Sequence, residues 1–485
     1  MELFSVKREE WRLFSLMFAV VCFINVNFNI LRSMRNALVV GEVGGSAALI
    51  PYYELFGTFP MSIIMTWGLS RLMRVFSLRF IFFITTACFL LFFVIFAFFI
   101  YPHRGEIQSL LESQVHVLFS LPQLKAAFAH WPDMSFYVMA ELWKVALLAV
   151  LFWGFVNQNL SLEEAKRFYP PLMLGSSVGT VVAGWITVFC TAESSWRFFA
   201  LASERWHHSL YALTVCLLLC GGLTLLGFGS LFDRFRVHNT TPLVNTSKGK
   251  EPFSRRLLSL SSSLRYLLKS PYLAALLFVV VGEYVAYTLG ELIFLETLKA
   301  RYSTPAEYCQ YMGNLTLWTG ILTAGSALFF TPYFLNRYSW TTCMLITPVL
   351  MVIITVAFFS VIYSGRIGLL SPAQLLIIAI PLGSLHFCFG RSMKYTLFDS
   401  TKELAFLPLE EEGKVKGKLI IDGIGSRLGR GSSSLLSLCL FTLMGGAGES
   451  ALFAGILAVV FSLFSIPTAH FIGKEFQRLT KRVIL

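Results

Sequence analysis

The stretch LFSLMFAVVCFINVNFNILRSMRN, residues 13–36, decides the fold. It is one apolar run of the length a helix needs to cross a hydrocarbon core, about 20 residues. It closes on two guanidinium groups, in Ile30-Leu31-Arg32-Ser33-Met34-Arg35-Asn36. Near the other end of the chain the arrangement recurs, where an apolar run leads into Gly390-Arg391-Ser392-Met393-Lys394-Tyr395-Thr396-Leu397-Phe398-Asp399. A charged side chain at the bilayer centre costs roughly 2.5–3.5 kcal/mol on insertion scales, so such residues pair, face water or hold an anion. Cations in both halves of the chain therefore predict a wet central cavity for something multiply negative.

The whole chain has the composition that this stretch implies. Its 485 residues are 56% hydrophobic, 15% aromatic and only 14% charged, and the 47 Phe are spread along the length. That excludes an ordinary soluble domain. The nine cysteines form no CxxC pair and sit mostly in apolar runs, where a thiol behaves as a small hydrophobe, so neither a disulfide framework nor a metal site is expected. The mixed-charge segment Met1 to Arg12 carries no cleavage signal, and the first apolar run reads as a retained span with no transit peptide before it.

Apolar runs of membrane length recur about twelve times, near residues 13–36, 50–70, 79–101, 134–158, 168–192, 209–232, 272–296, 310–335, 340–363, 371–395, 418–445 and 450–473. The eleventh contains Asp422, Arg427 and Arg430. With twelve spans and both termini in the cytoplasm, 25 of the 39 Lys and Arg fall on the cytoplasmic side and seven outside. Such asymmetry is what the positive-inside rule requires, and it explains the net charge of +12 without nucleic acid. Asn239-Thr240-Thr241 and Asn245-Thr246-Ser247 match the glycosylation pattern but fall on the cytoplasmic side, where they carry no meaning.

The predicted fold is an all-α membrane protein with twelve transmembrane helices in major-facilitator-like 6+6 halves around a central cavity. Residues 1–232 form the N-terminal six-helix half, with a long external loop at 102–133. The basic, Ser-rich stretch 233–271 is a cytoplasmic linker, and 272–485 form the C-terminal half. Halves of this kind contain nested three-helix inverted repeats. The first helix of each repeat lines the cavity, and the intramembrane charges fall on those helices. Arg32 and Arg35 lie on the first span, Glu141 and Lys144 on the fourth, Glu283 and Glu291 on the seventh, Arg391 and Lys394 on the tenth.

Asn25, Asn29, Arg32 and Asn36 follow one another at spacings of four, three and four, which is one helical face. Two readings stand: a substrate-facing wall, or a hydrogen-bonded seam between helices. Arg binds phosphate through a planar fork and Lys as a point charge, so a set of both suits a polyphosphate. Glu141 and Glu291 either hold these cations when the cavity is empty or bind a coupling proton. Lys414-Val415-Lys416-Gly417-Lys418 reads as a headgroup anchor when taken alone, whereas Arg427 and Arg430 lie too deep for that. His386 sits within a span, with core packing as its default role. No GxxxxGK[ST] phosphate loop and no catalytic constellation occur, so neither a primary pump nor an enzyme is expected, and no cofactor is implied.

At these motifs the chain resembles the bacterial and plastidic nucleotide transporters, the ATP/ADP translocase family. The likeness runs from about Asn29 to the last span. It rests on Ile30–Arg35 with Leu38-Val39-Val40, Ile50-Pro51, Pro60, Ala140-Glu141-Leu142-Trp143 and Leu151-Phe152-Trp153-Gly154-Phe155-Val156-Asn157-Gln158. It continues through Glu164–Tyr169, Glu291, Pro305-Ala306-Glu307-Tyr308 with Met312-Gly313, Lys394–Asp399, and Lys414–Lys418 with Ile421-Asp422. The chain departs from the family where Lys-Asp becomes Arg35-Asn36, where Lys becomes Glu54, and where Trp-Lys becomes Phe294-Leu295.

The resemblance implies a nucleotide substrate, alternating access, and transport roles for Arg35, Glu141, Glu291, Lys394, Lys414–Lys418 and Arg427–Arg430. The expected substrate-binding set is Arg32, Arg35, Asn36, Glu141, Glu291, Arg391, Lys394, Lys416, Lys418, Arg427 and Arg430. The expected function is nucleotide exchange, ATP for ADP or other nucleoside triphosphates, by a monomer in a bacterial inner membrane. Its partners would be the nucleotide and lipid. Proton-coupled net nucleotide import, carriage of another organic phosphate anion, and a sensor that moves nothing are the alternatives.

Overall fold

The structure is a computed structural model. It describes residues 10–42, 44–108, 122–160, 162–199, 202, 204–238, 270–410, 413, 417–418, 421 and 425–484. Among these every regular element is helical, as hydrocarbon demands of a chain whose backbone N–H and C=O groups have no water to bond. Among the described residues, ten helices are long and apolar enough to cross a membrane. They are α1 (Trp11–Gly41), α3 (Leu78–Ile100), α4 (Trp131–Asn159), α5 (Arg167–Thr191), α6 (Arg205–Phe235), α7 (Pro271–Arg301), α8 (Pro305–Arg337), α9 (Trp340–Arg366), α10 (Pro372–Leu404) and α12 (Ala451–Lys481).

The other two expected spans are helical but weaker. α2 runs from Ile50 to Leu72 through the π-turn Tyr53–Thr58 but dilutes its apolar run with Tyr52, Tyr53 and Glu54, and α11 (Ser426–Met444) dilutes its apolar turns with Arg427, Arg430 and a serine run. The linker from residue 239 to 269, Lys414, Lys416 and Asp422 lie outside the described residues. In the predicted external loop, Pro122–Ala129 form a short helix.

Local sequence sets the helix starts. Ser77, Ser339 and Ser371 each accept a hydrogen bond from a first-turn backbone N–H of α3, α9 and α10, and Gln374 completes a capping box with Ser371. α11 stops at Gly445, whose φ of 91° is left-handed backbone that favours glycine. Several helices run past the end of their apolar stretch. α10 continues through the widened π-helical turn Lys394–Phe398 to Leu404, so the basic motif expected at a helix end lies inside one. Similar π-turns follow Arg35 in α1 (Ala37–Gly41) and Glu141 in α4 (Lys144–Phe152).

The chain divides into two compact units, Met1–Thr240 with Leu298–Ala324, and Thr241–Thr297 with Gly325–Leu485. In the first, α1 packs on α4, α5 and α6. Phe82 and Phe228 stack at 3.7 Å between centroids, and Phe89, Phe93, Phe96, Phe136 and Trp143 form an aromatic core. At one end of this unit the Glu42 carboxylate accepts bonds from Tyr101 and from both terminal nitrogens of Arg104, at 2.7 and 2.9 Å. Burial and the nearby carboxylate push the Tyr101 phenol far above its ordinary range, which keeps it a donor. Lys299 donates to the backbone oxygens of Glu42 and Gly45.

In the second unit α9 packs on α10 and α12. Its core gathers Leu273, Leu276, Val279, Met344, Phe398, Ala405, Phe406 and Ile472.

Candidate substrate-binding site

The first unit builds its part of the site from α1 outward. Asn25 Nδ2 donates to the Val21 carbonyl at 2.8 Å and to Ser176 Oγ at 3.1 Å. Asn29 Nδ2 repeats this toward Asn25 O at 2.8 Å and Thr180 Oγ1 at 3.1 Å. Half of the polar stripe is therefore a seam to α5. The seam closes because α5 presents Gly179 there: a Cβ would stand 2.5 Å from the Cys22 carbonyl oxygen.

Arg35 faces α4 instead. Its Nη1 pairs with Glu141 Oε1, and its guanidinium carbon lies 4.3 Å from the centre of the Tyr137 ring. The two paired side chains are 8% and 12% exposed. Asn36 is buried on the next position, and Arg32 is half-buried a turn earlier. Tyr137 in turn donates to Glu54 Oε1 at 3.2 Å. Trp143 Nε1 bonds the Ile24 carbonyl at 3.1 Å and fixes α4 against α1. Lys144 Nζ lies 4.9 Å from the Phe28 ring centre.

The second unit holds a matching constellation. Arg391 on α10 donates from Nε to Tyr287 Oη at 2.5 Å and from Nη2 to Glu291 Oε1 at 2.6 Å, and it lies 4.2 Å over the Phe387 ring. The paired side chains are 8% and 17% exposed. In both units, then, one helix supplies the arginine and another supplies Tyr-x-x-x-Glu, at 137–141 on α4 and at 287–291 on α7. Spacing of four places Tyr and Glu on one helical face. That repeat was the signal available in the sequence for Tyr137 and Tyr287, and a reading by charge alone misses it.

His386 is fully buried and stacks on Tyr287 at 5.7 Å and 9°. Neither ring nitrogen has a hydrogen-bond partner among the described residues. Its room comes from Gly290, where a Cβ would sit 2.3 Å from His386 Cε1.

Lys394 opens the π-turn of α10 with its Nζ 2.8 Å from the centre of the Tyr284 ring, and it lies within electrostatic reach of Glu283, Asp399 and Arg430. The structure thus brings Lys394 and Arg430 together in this unit. Arg427 and Arg430 are exposed at the start of α11. Lys418 pairs with Glu403 at 2.6 Å on the surface, and Lys416 lies outside the described residues.

Each buried arginine keeps a carboxylate as partner, and a phosphate, like a carboxylate, offers two acceptor oxygens to the planar fork of a guanidinium. An anionic substrate can therefore take the carboxylate's place at Arg35 or Arg391 without leaving a guanidinium bare. Nothing in this chemistry makes or breaks a covalent bond. Among the described residues no group of His, Cys, Asp or Glu is placed to hold a metal ion.

The helices and these desolvated ion pairs describe an all-α membrane protein, and its structural neighbours are transporters of the major-facilitator type. Solved structures of that fold match nearly the whole chain. A bacterial homologue of the iron transporter ferroportin, inward-facing, aligns with a TM-score of 0.61 at 12% identity, over 96% of this chain and 99% of that one. The nucleoside transporter NupG aligns at 0.58 and 12%, over 96% and 99%. These are likenesses of fold alone.

The sequence is more specific: residues 1–476 match the profile of the TLC ATP/ADP transporter family, and the chain belongs to that family. It is similar to ADP,ATP carrier protein 1 of Chlamydia pneumoniae, 28% identical over 95% of this chain and 90% of the relative. It is also similar to the chloroplastic ADP,ATP carrier protein 1 of Arabidopsis thaliana, 31% identical over 96% and 73%. The protein is a transporter and not an enzyme.

Proposed function

We propose that this protein exchanges ATP for ADP, or for other nucleotides, across a membrane by alternating access. The relatives' substrates and the fold support the reading, and the observation that carries it is the pair of desolvated Arg–Glu contacts, one per unit. In the first unit Arg32 and Arg35, with the Asn36 amide, are the phosphate-binding groups, and in the second they are Arg391, Lys394, Arg427 and Arg430, with Lys416 and Lys418 ahead of α11. Glu141 and Glu291 hold Arg35 and Arg391 when no substrate is bound and release them to phosphate when it arrives. On this reading α2 and α11 also span the bilayer, giving twelve helices. The protein works as a monomer in a bacterial inner membrane with both termini in the cytoplasm, and its partners are lipid and nucleotide.

Proteoliposomes test this directly. Uptake of labelled ATP should be strongly stimulated by ADP loaded inside, and Arg35→Ala or Glu291→Gln should abolish it. Nucleotide binding without counterflow, or full flux in either variant, overturns the proposal.

A further inference from the structure

Glu283 is an intramembrane carboxylate that the exchange reaction does not use. It lies on α7, two turns before Glu291, and is 6% exposed. Its Oε1 is buried with no hydrogen-bond partner among the described residues. The charge that acts on it is Lys394 of α10, whose ammonium rests over the ring of Tyr284, the residue next to Glu283. That ring is held from the far side by α11, where a Cβ at Gly429 would meet Tyr284 Cδ2 at 2.8 Å. Lys394 feels Tyr395 and Asp399 on its own helix and Arg430 from α11. α12 brings Phe461 and Ser465 against this turn at Gly282. Glu283 therefore depends on one shared cation for its charge balance.

We propose that Glu283 is a proton-binding site linked to nucleotide binding through Lys394. The inference rests on the reading above, in which Lys394 takes part in binding phosphate. In the empty protein the ammonium offsets the Glu283 carboxylate. A polyphosphate at Lys394 redirects that positive charge and adds negative charge to the same neighbourhood. The carboxylate is then a buried anion with an unsatisfied oxygen, a state that hydrocarbon surroundings penalise heavily. It takes one proton from hydronium, leaving water, and becomes a neutral acid. Each nucleotide thus enters its site with up to one proton. A carrier that returns loaded moves no net proton, whereas one that returns empty performs symport.

Calorimetric titration of the whole purified protein with ATP tests the link, at a pH where the nucleotide itself is fully deprotonated and in buffers of different ionisation enthalpy. The slope of binding enthalpy against buffer enthalpy counts protons taken up. We expect a slope approaching one for the natural protein and near zero for Glu283→Gln, which mimics the protonated acid and still binds ATP. Glu283→Asp should retain the slope, and Lys394→Met should lose it, so the question remains answerable if one variant misfolds. A slope that persists in Glu283→Gln, or is absent in a natural protein that binds ATP, overturns the inference. Absence of any ATP binding overturns the nucleotide reading itself.

Discussion

Replacing Glu141 with leucine would leave the Arg35 guanidinium buried against α4 with its carboxylate partner gone. Both side chains are little exposed, so solvent cannot make good the loss. Removing one partner of such a pair costs about 3–5 kcal/mol, whereas replacing both with apolar residues of similar volume is often neutral. At about 2–4 °C per kcal/mol for units of this size, Glu141→Leu should lower the melting temperature by on the order of 10 °C. Arg35→Leu should cost a similar amount, because it takes the arginine away from a little-exposed carboxylate. The double variant Arg35→Leu/Glu141→Leu should recover most of the loss while transporting nothing, since the phosphate-binding group is gone. The buried thiols of Cys190, Cys309, Cys343 and Cys388 supply the assay, because a thiol-reactive dye reports their exposure as the protein unfolds in detergent. A double variant as unstable as the sum of the two singles would refute the claim that Arg35 and Glu141 stabilise mainly through each other.

Arg391→Lys keeps the charge but loses the bond to Tyr287 Oη. Loss of one hydrogen bond to a charged group is worth about 1.5–3 kcal/mol, so KM for nucleotide in proteoliposomes should rise by roughly 10- to 100-fold. Gly179→Val forces α5 away from the Cys22 carbonyl and should destabilise by about 1–3 kcal/mol in the same thermal assay, with the site chemistry untouched. Lys418→Ala breaks only a surface pair with Glu403 and should change stability by less than about 1 kcal/mol, while KM rises if the residue meets phosphate as proposed. Exchange of ATP⁴⁻ for ADP³⁻ moves one charge, worth about 2.3 kcal/mol per 100 mV, and an imposed potassium diffusion potential should accelerate it in one direction and slow it in the other.

Much of this was legible before any coordinates. The apolar runs are long, and hydrocarbon leaves the backbone no alternative to the helix, so α1, α3–α10 and α12 follow from length and hydropathy alone. Charges in such runs are rare enough to mark themselves, which is why Arg35, Glu141, Glu291 and Arg391 could be named from the sequence. Their pairing was not legible, because it depends on which helices touch. Asn25 and Asn29 show the same limit: their spacing gives a face, but only the close approach of Gly179 reveals that the face is covered by α5. Glu283 was visible as a charge, yet its electrostatic link to Lys394 spans more than a hundred residues of sequence.

The widened turns after Arg35, after Glu141 and at Lys394 carry one more consequence. A π-turn holds one residue more than the regular turn it replaces, and each residue of an α-helix advances the azimuth by about 100°. Regular winding of Lys144–Phe152 at its present length, or one more residue inserted there, would swing everything beyond it by that angle and present a different set of side chains to α1, whereas deleting one residue would let α4 wind regularly with its far end nearly in place. A lone insertion in these three helices should therefore be more damaging than most substitutions, and a lone deletion within the widened turn better tolerated than an insertion.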